Sequence, residues 1–312
     1  MNSDNHIIGR FGGITPGPLL LVFSGMHGNE LAGVRALETL FEMLEHEPSI
    51  NPGFVFHGTL LGLRGNLGAI RKKRRFINKD LNRQWLPEQV ARIRETPIEN
   101  LEAEDRELKE LLHLTETEIA NAHPERIVVL DLHTTSAAGG IFAIATDDPE
   151  SIRIGIAMHA PVITGMLRGI RGTLLHHFNE ASTGLPTVTV GFEGGQHYNP
   201  LSINRCIAAT INCMRSVGCV RAEDVENHHD ELLIAHAAGL PKVADLVTVH
   251  RVHPDDGFQM LPGYHNFHFV KQGQLLAHDK NGSIYASVEG YLLMPLYQPQ
   301  GEDGFFLVKA MQ

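Results

Sequence analysis

The segment GMHGNE at residues 25–30 sets a histidine and a glutamate, His27 and Glu30, three positions apart, directly after a run of large apolar residues. An imidazole and a carboxylate at that spacing reach one cation if the chain turns into a helix there, and the glycines at 25 and 28 permit such a turn. The same residues would also suit a plain helix N-terminus, where a first-turn glutamate is favoured by the macrodipole. A second histidine, His133, follows the apolar run of IVVLDLHTT at 127–135. Two histidines and one carboxylate are a catalytic zinc set, with the fourth position left for water or substrate. Asp131, two residues before His133, points to the same side of an extended chain. It either orients the imidazole from behind or bonds backbone at the strand end. In TVTVGFEGG at 187–195, alternation puts Glu193 on the opposite face from Val188, Val190 and Phe192. A carboxylate beside a metal-activated water acts as a general base, although a lone glutamate before a turn is ordinarily just surface. RKKRRFINKDLNR at 71–83 opens with five consecutive basic residues, which read as a nucleic-acid patch or a solvated face. Arg75, Asn82 and Arg83 within it are the residue types that clamp a carboxylate and polarise a carbonyl.

These residues need elements to hold them. Leu19–Ser24 reads as a strand buried on both faces, of the kind found in parallel sheets, and apolar residues from Leu31 to Leu44 recur at helical spacing over 30–45. Further strands are predicted at 54–60, 127–131 and 187–193. Thr96, Pro97 and Glu99 form an N-cap signature that predicts a charged, solvent-facing helix from there to 121. Alternating strands and helices over the first ~220 residues imply an open α/β sheet, and its ligands are expected at the carboxyl ends of the strands. From 241 onward, short alternating runs broken by Pro254 and several glycines imply a small all-β region, with the boundary near ENHHDELL at 226–233.

Composition bounds the rest. A chain of 312 residues, 43% hydrophobic and 20% charged, is ordinary globular material. Its longest unbroken aliphatic or aromatic run, Leu19 to Phe23, is far short of the ~20 residues needed to span a bilayer. The net charge of −10 disfavours a general nucleic-acid surface. Cys206, Cys213 and Cys219 form neither a disulfide framework nor a thiolate zinc site, which fits a reducing cytoplasm. No secretory signal is visible at the N-terminus.

Taken in order, G-x-H-G-N-E, F-I-N-K-D-L-N-R, D-L-H-T-T and G-F-E-G-G resemble the succinylglutamate desuccinylase and aspartoacylase family of zinc amidohydrolases. The resemblance implies a zinc-carboxypeptidase-like mixed sheet with flanking helices over 1–230, and a smaller all-β domain over 231–312 covering the active site. It implies one Zn2+ per chain on His27, Glu30 and His133, with Glu193 as general base. It further implies Arg75 at the oxyanion, and Asn82 and Arg83 on the α-carboxylate of a small N-acyl amino acid. Aspartoacylase-like members also carry an arginine shortly before the general base and a C-terminal tyrosine, both gripping an acidic substrate. FNEASTGLPTVTVGFE holds no arginine, and LYQPQGEDGFF has Gly304 and Phe305 where the tyrosine is sought. Little preference for dicarboxylic substrates is therefore expected, unless Arg153, Arg168 or Arg171 enters the site, or Tyr198, Tyr291 or Tyr297 substitutes. A peptide-cleaving metallocarboxypeptidase and a catalytically silent metal- or metabolite-binding module are the competing readings. No membrane or nucleic-acid partner is expected, and a homo-oligomer is left open.

Overall fold

The computed structural model describes residues 5–12, 15–225 and 230–311. Strand Thr15–Ser24 lies inside the sheet with a strand on either side, as suits a segment whose residues 18–24 are all buried and offer no polar face to water. It pairs in parallel with His57–Arg64 on one side and Ile127–Thr135 on the other, and the latter pairs in parallel with Thr187–Gln196. Four neighbouring strands thus end at one edge, and Glu193 lies opposite His133 in register. The full sheet has eleven strands in the order Ile7–Gly12, His57–Arg64, Thr15–Ser24, Ile127–Thr135, Thr187–Gln196, Phe142–Ala145, Val162–Thr164, Val243–Arg251, Asp303–Ala310, Gly290–Leu293 and His268–Val270. It is mixed: Ile7–Gly12 runs antiparallel to His57–Arg64, and Phe142–Ala145 runs antiparallel to Thr187–Gln196 but parallel to Val162–Thr164.

Helices cover both faces. Ala32–Ile50, Pro149–Ala157 and Leu201–Val217 pack on one face through Leu37, Phe41, Ile154, Ile207 and Met214. Pro87–Glu95 and Ala103–Ala122 cover the other through Val90, Ile93, Leu108 and Leu111, around the fully buried Trp85 and Phe23. Each such apolar side chain contributes about 1.5–3 kcal/mol on burial.

The C-terminal region is antiparallel and divides between two sheets. Four of its strands extend the main sheet, joined to it where Val243–Arg251 pairs with Val162–Thr164. Gln259–Met260, Leu275–Asp279 and Gly282–Tyr285 form a separate three-stranded sheet over Leu276, Ala277 and Met260. Of the boundary stretch 226–233, residues 226–229 lie outside the described residues, and Asp230–Ala237 is helical.

Three local expectations are corrected. Strand Ile127–Thr135 runs past Asp131, so His133 is part of the strand. Thr96 ends the helix Pro87–Glu95 and does not open the next one, which starts at Ala103 after a short turn at Ile98–Asn100. The face of that second helix is not wholly solvated: Glu104, Asp105 and Glu118 are buried. Glu104 accepts bonds from the backbone N–H of Ile77 (2.6 Å) and from Asn66 Nδ2 (3.2 Å). A buried carboxylate satisfied in this way fixes the loop that carries Arg75 and Asn82.

Candidate active site

Gly25 adopts φ +63°, in the left-handed region, and Gly28 lies so close to the next segment that a Cβ would come within 2.1 Å of the Ala69 backbone. Its N–H donates to the carbonyl of Arg75 at 3.1 Å. The close approach that only glycine allows therefore docks the His27 loop against the Arg75 loop. His27, Glu30 and His133 converge, with one ligand atom from each lying within 4.8 Å of the others.

The hydrogen bonds around them are nearly symmetrical. Nε2 of His27 lies 3.1 Å from Asp80 Oδ1, and Nε2 of His133 lies 2.8 Å from Asp131 Oδ2 and 3.1 Å from Asn82 Nδ2. Nδ1 of each imidazole is turned to Glu30, at 2.8 Å from Oε1 for His27 and 2.9 Å from Oε2 for His133. A neutral imidazole with its proton on Nε2, toward the aspartate, has only a lone pair at Nδ1. In that form two lone pairs face the two oxygens of one carboxylate, an arrangement that repels unless a proton or a cation lies between them. The donor set fits a divalent metal, and the aspartates behind the rings fix the ligating tautomer.

For the polypeptide alone, burial opposes charge on these groups, yet their mutual attraction prevails. His27 and His133 hold the Glu30 carboxyl well below its ordinary range. Asp131 and Glu30 push His133 well above its ordinary value. Asp80 is likewise held low, against burial, by His27 and Arg75. Glu193 is different: burial pushes its carboxyl up to about 8, opposed by His133 and reinforced by Glu30 and Asp131. Its Oε2 is buried without a hydrogen-bond partner, as suits a group that exchanges protons with a guest.

Arg75, Asn82 and Arg83 line the same cavity as the three convergent residues and Glu193. Arg75 donates to Asp80 Oδ2 through Nε (3.2 Å) and Nη2 (3.0 Å). Its four basic predecessors, residues 71–74, are exposed. Asn82 donates to Asp131 and accepts from the Leu174 N–H at 2.9 Å. Arg83 donates to its neighbouring carbonyl and to Asp303 Oδ2 at 2.8 Å. All eight residues singled out from the sequence are thus brought together. The one missed is Asp80, which orients His27 and Arg75 at once. It stands inside the F-I-N-K-D-L-N-R segment, but its partner lies 53 positions away and local spacing gives no sign of it.

Met294, Leu296, Gln298, Gly301, Glu302 and Asp303 line the cavity, and their segment is pinned by Asn29 Nδ2 on Gln298 (2.8 Å), Tyr297 N on Ser136 Oγ (3.1 Å) and Gln300 Nε2 on the Phe76 carbonyl (3.3 Å). No helix among the described residues is long and apolar enough to cross a membrane.

This sheet, with a histidine-carboxylate cluster at its carboxyl edge, is the architecture of a known class of enzymes. Residues 16–217 match the succinylglutamate desuccinylase/aspartoacylase catalytic domain, and the chain belongs to that family. Among solved structures it is similar to the succinylglutamate desuccinylase/aspartoacylase from Rhodobacter sphaeroides, with 16% identity, coverage of 97% of this chain and 88% of that one, and a TM-score of 0.66. It is also similar to the succinylglutamate desuccinylase from Chromobacterium violaceum (19% identity, 95% and 86% covered, TM-score 0.60). A third likeness is the product-bound ectoine utilization protein from Ruegeria pomeroyi (16% identity, 96% and 87% covered, TM-score 0.61). At such identities the likeness establishes the fold. A comparison with curated proteins returned no match.

Proposed function

We propose that the protein is a zinc-dependent hydrolase that cleaves the amide bond of a small N-acyl amino acid. The observation that carries this reading is one cavity holding a His-Glu-His donor set, a buried carboxylate with one oxygen unpartnered, and two arginines. His27, Glu30 and His133 would hold the metal, which when bound polarises a carbonyl and brings the pKa of water to about 7. Glu193 takes the proton of the attacking water and passes it to the departing nitrogen, so that the amine leaves neutral. Arg75 donates to the oxygen that gains charge as the carbonyl carbon becomes tetrahedral. Arg83 and the Asn82 amide hold the α-carboxylate, with Arg83 exchanging Asp303 for the substrate. The wall that residues 294–303 add to the cavity favours a small substrate over a peptide, and a binding-only module needs neither Glu193 nor Arg75. Metal analysis of the purified protein, together with turnover of a panel of N-acetyl amino acids, tests the reading. Zinc at one per chain with hydrolysis is expected, and a zinc-loaded protein without turnover would defeat it.

Two kinetic predictions follow from the roles of the polar residues. Arg83→Ala is expected mainly to raise KM, because a carboxylate clamp acts in ground and transition states alike. Arg75→Ala is expected mainly to lower kcat, because its bond strengthens as charge develops. Steady-state kinetics of the two variants separate these outcomes, and identical signatures would show the roles to be misplaced. Asp80→Asn is expected to weaken zinc binding by about 10- to 100-fold, as loss of a carboxylate behind a ligating imidazole does. Competition with a chelator measures it, and unchanged affinity would remove Asp80 from the metal site.

A further inference from the structure

We propose that the leaving amino acid carries an uncharged aliphatic or thioether side chain, seated against the cavity wall of Ile144, Leu167, Ile170 and Leu175; the inference rests on the hydrolase reading above. At Gly191 even a Cβ would crowd Leu175 Cδ1 (3.3 Å) and Ile144 Cβ (3.4 Å), so glycine lets these two apolar side chains close over the strand beside Glu193. Gly191 and Glu193 are two apart on one strand and share a face, and both line the cavity. The apolar surface therefore begins one strand step from the proton-transfer group.

The short helix Met166–Gly169 and the segment after it decide the polarity of the wall. Leu167 and Ile170 turn into the cavity, and the arginines beside them turn out. Arg168 is 55% exposed and bound to Asp147 (3.0 Å) and Asp245 (2.8 Å). Arg171 is exposed. Arg153 is spent on Glu150 and the Ser216 carbonyl. The tyrosines do not compensate: Tyr198 is 79% exposed, the Tyr297 hydroxyl donates to the Leu261 carbonyl, and Tyr291 packs edge-on against Phe267 and Phe269. Among the described residues, the arginines lining the cavity are Arg75 and Arg83, and the hydrolase reading commits the first to the reacting carbonyl and the second to the α-carboxylate. A second substrate carboxylate would lose its hydration with no cation to offset the loss.

The position of the apolar surface identifies which half of the substrate it meets. The Leu174 N–H donates to Asn82 Oδ1 at 2.9 Å, and the Trp85 N–H donates to the Gly172 carbonyl at 3.0 Å. Residues 170–175 are thereby fixed against the carboxylate-binding pair. Because α-carboxylate and side chain share one carbon, a substrate held at Asn82 and Arg83 extends its side chain toward Ile170 and Leu175.

The test has two arms. Zinc-loaded wild-type protein is assayed with the N-acetyl derivatives of leucine, methionine, alanine, aspartate, glutamate and lysine. Free leucine, aspartate and lysine are titrated calorimetrically into the same protein and into metal-free protein. Leucine and methionine derivatives are expected to exceed the aspartate and glutamate derivatives in kcat/KM by about 10²-fold or more, and alanine by about tenfold. Leucine is expected to bind more tightly than aspartate or lysine. Leu175→Arg is expected to shift the leucine-to-aspartate ratio by at least about tenfold toward aspartate. A charged derivative equal to or better than leucine, a flat profile, or no binding of leucine overturns the proposal while leaving hydrolysis intact. Selective leucine binding without hydrolysis of any N-acyl amino acid would support the apolar subsite and defeat the hydrolase reading.

Discussion

Glu193→Gln is expected to lower kcat by at least the ~10² to 10⁴ that a positioned general base supplies, with zinc content unchanged. The amide keeps the size of the side chain but can neither take a proton from water nor return one to the leaving nitrogen. The carboxyl lies inside the buried strand Thr187–Gln196, which runs on past the expected end at Glu193, and one of its oxygens is unpartnered. Burial pushes it up to about 8 for the polypeptide alone, and a bound dication would draw it down, since an opposite charge favours the ionised form. Activity should therefore rise with pH along an acid limb, and that limb should be missing from the residual activity of the variant. A pH profile of kcat/KM with metal analysis decides the matter. Retention of more than about a tenth of wild-type kcat would remove Glu193 from the mechanism, since such a loss is far below the general-base range.

The same shift has a consequence for stability. The folded-state value of Glu193 lies above its unfolded value. Between about pH 4.5 and about 8 the native metal-free protein thus keeps a proton that the unfolded chain has released. Stability from this group is intact below pH 4.5 and falls as pH rises through the window. Metal-free Glu193→Gln should accordingly be more stable than metal-free wild type at pH 8, on the order of a few kcal/mol. Denaturant unfolding of the two at pH 5 and pH 8 would show a gap that opens with pH, and a gap independent of pH would contradict the buried-acid account.

His27→Ala is expected to abolish both zinc retention and turnover. Two remaining protein ligands are too few for a tight catalytic site, and Glu30 would lose one of the two imidazoles that hold it ionised. Removing zinc from wild type with a chelator should silence the enzyme reversibly, with activity returning in proportion to zinc restored. A His27→Ala protein that purified with full zinc occupancy would show the ligand set to be wrong.

Much of this site could be read before any coordinates. Leu19 to Ser24 has no polar face, so it is a strand buried on both sides. The glycines of GMHGNE announce a tight loop at its end, and period-two alternation puts Asp131 with His133 and Gly191 with Glu193. These are local facts, set by strand geometry and glycine sterics, and they survive whatever packs around them. Tertiary structure alone decided the rest. Asp80 becomes the partner of His27 only because the Arg75 loop is pulled across by Gly28 and held by the buried Glu104. The capping signature at Thr96, Pro97 and Glu99 is locally sound, yet it yields a single turn, because Thr96 serves as the C-cap of the helix before it and the next helix starts at Ala103. Arg168 and Arg171 are one residue each from Leu167 and Ile170. Which pair faces the cavity depends on the carboxylates of Asp147 and Asp245, which hold Arg168 outside. Ligand identity rests on residue type and short spacing, which are encoded locally. The polarity of the pocket rests on which side of a loop meets water, and only the packing of distant segments settles that.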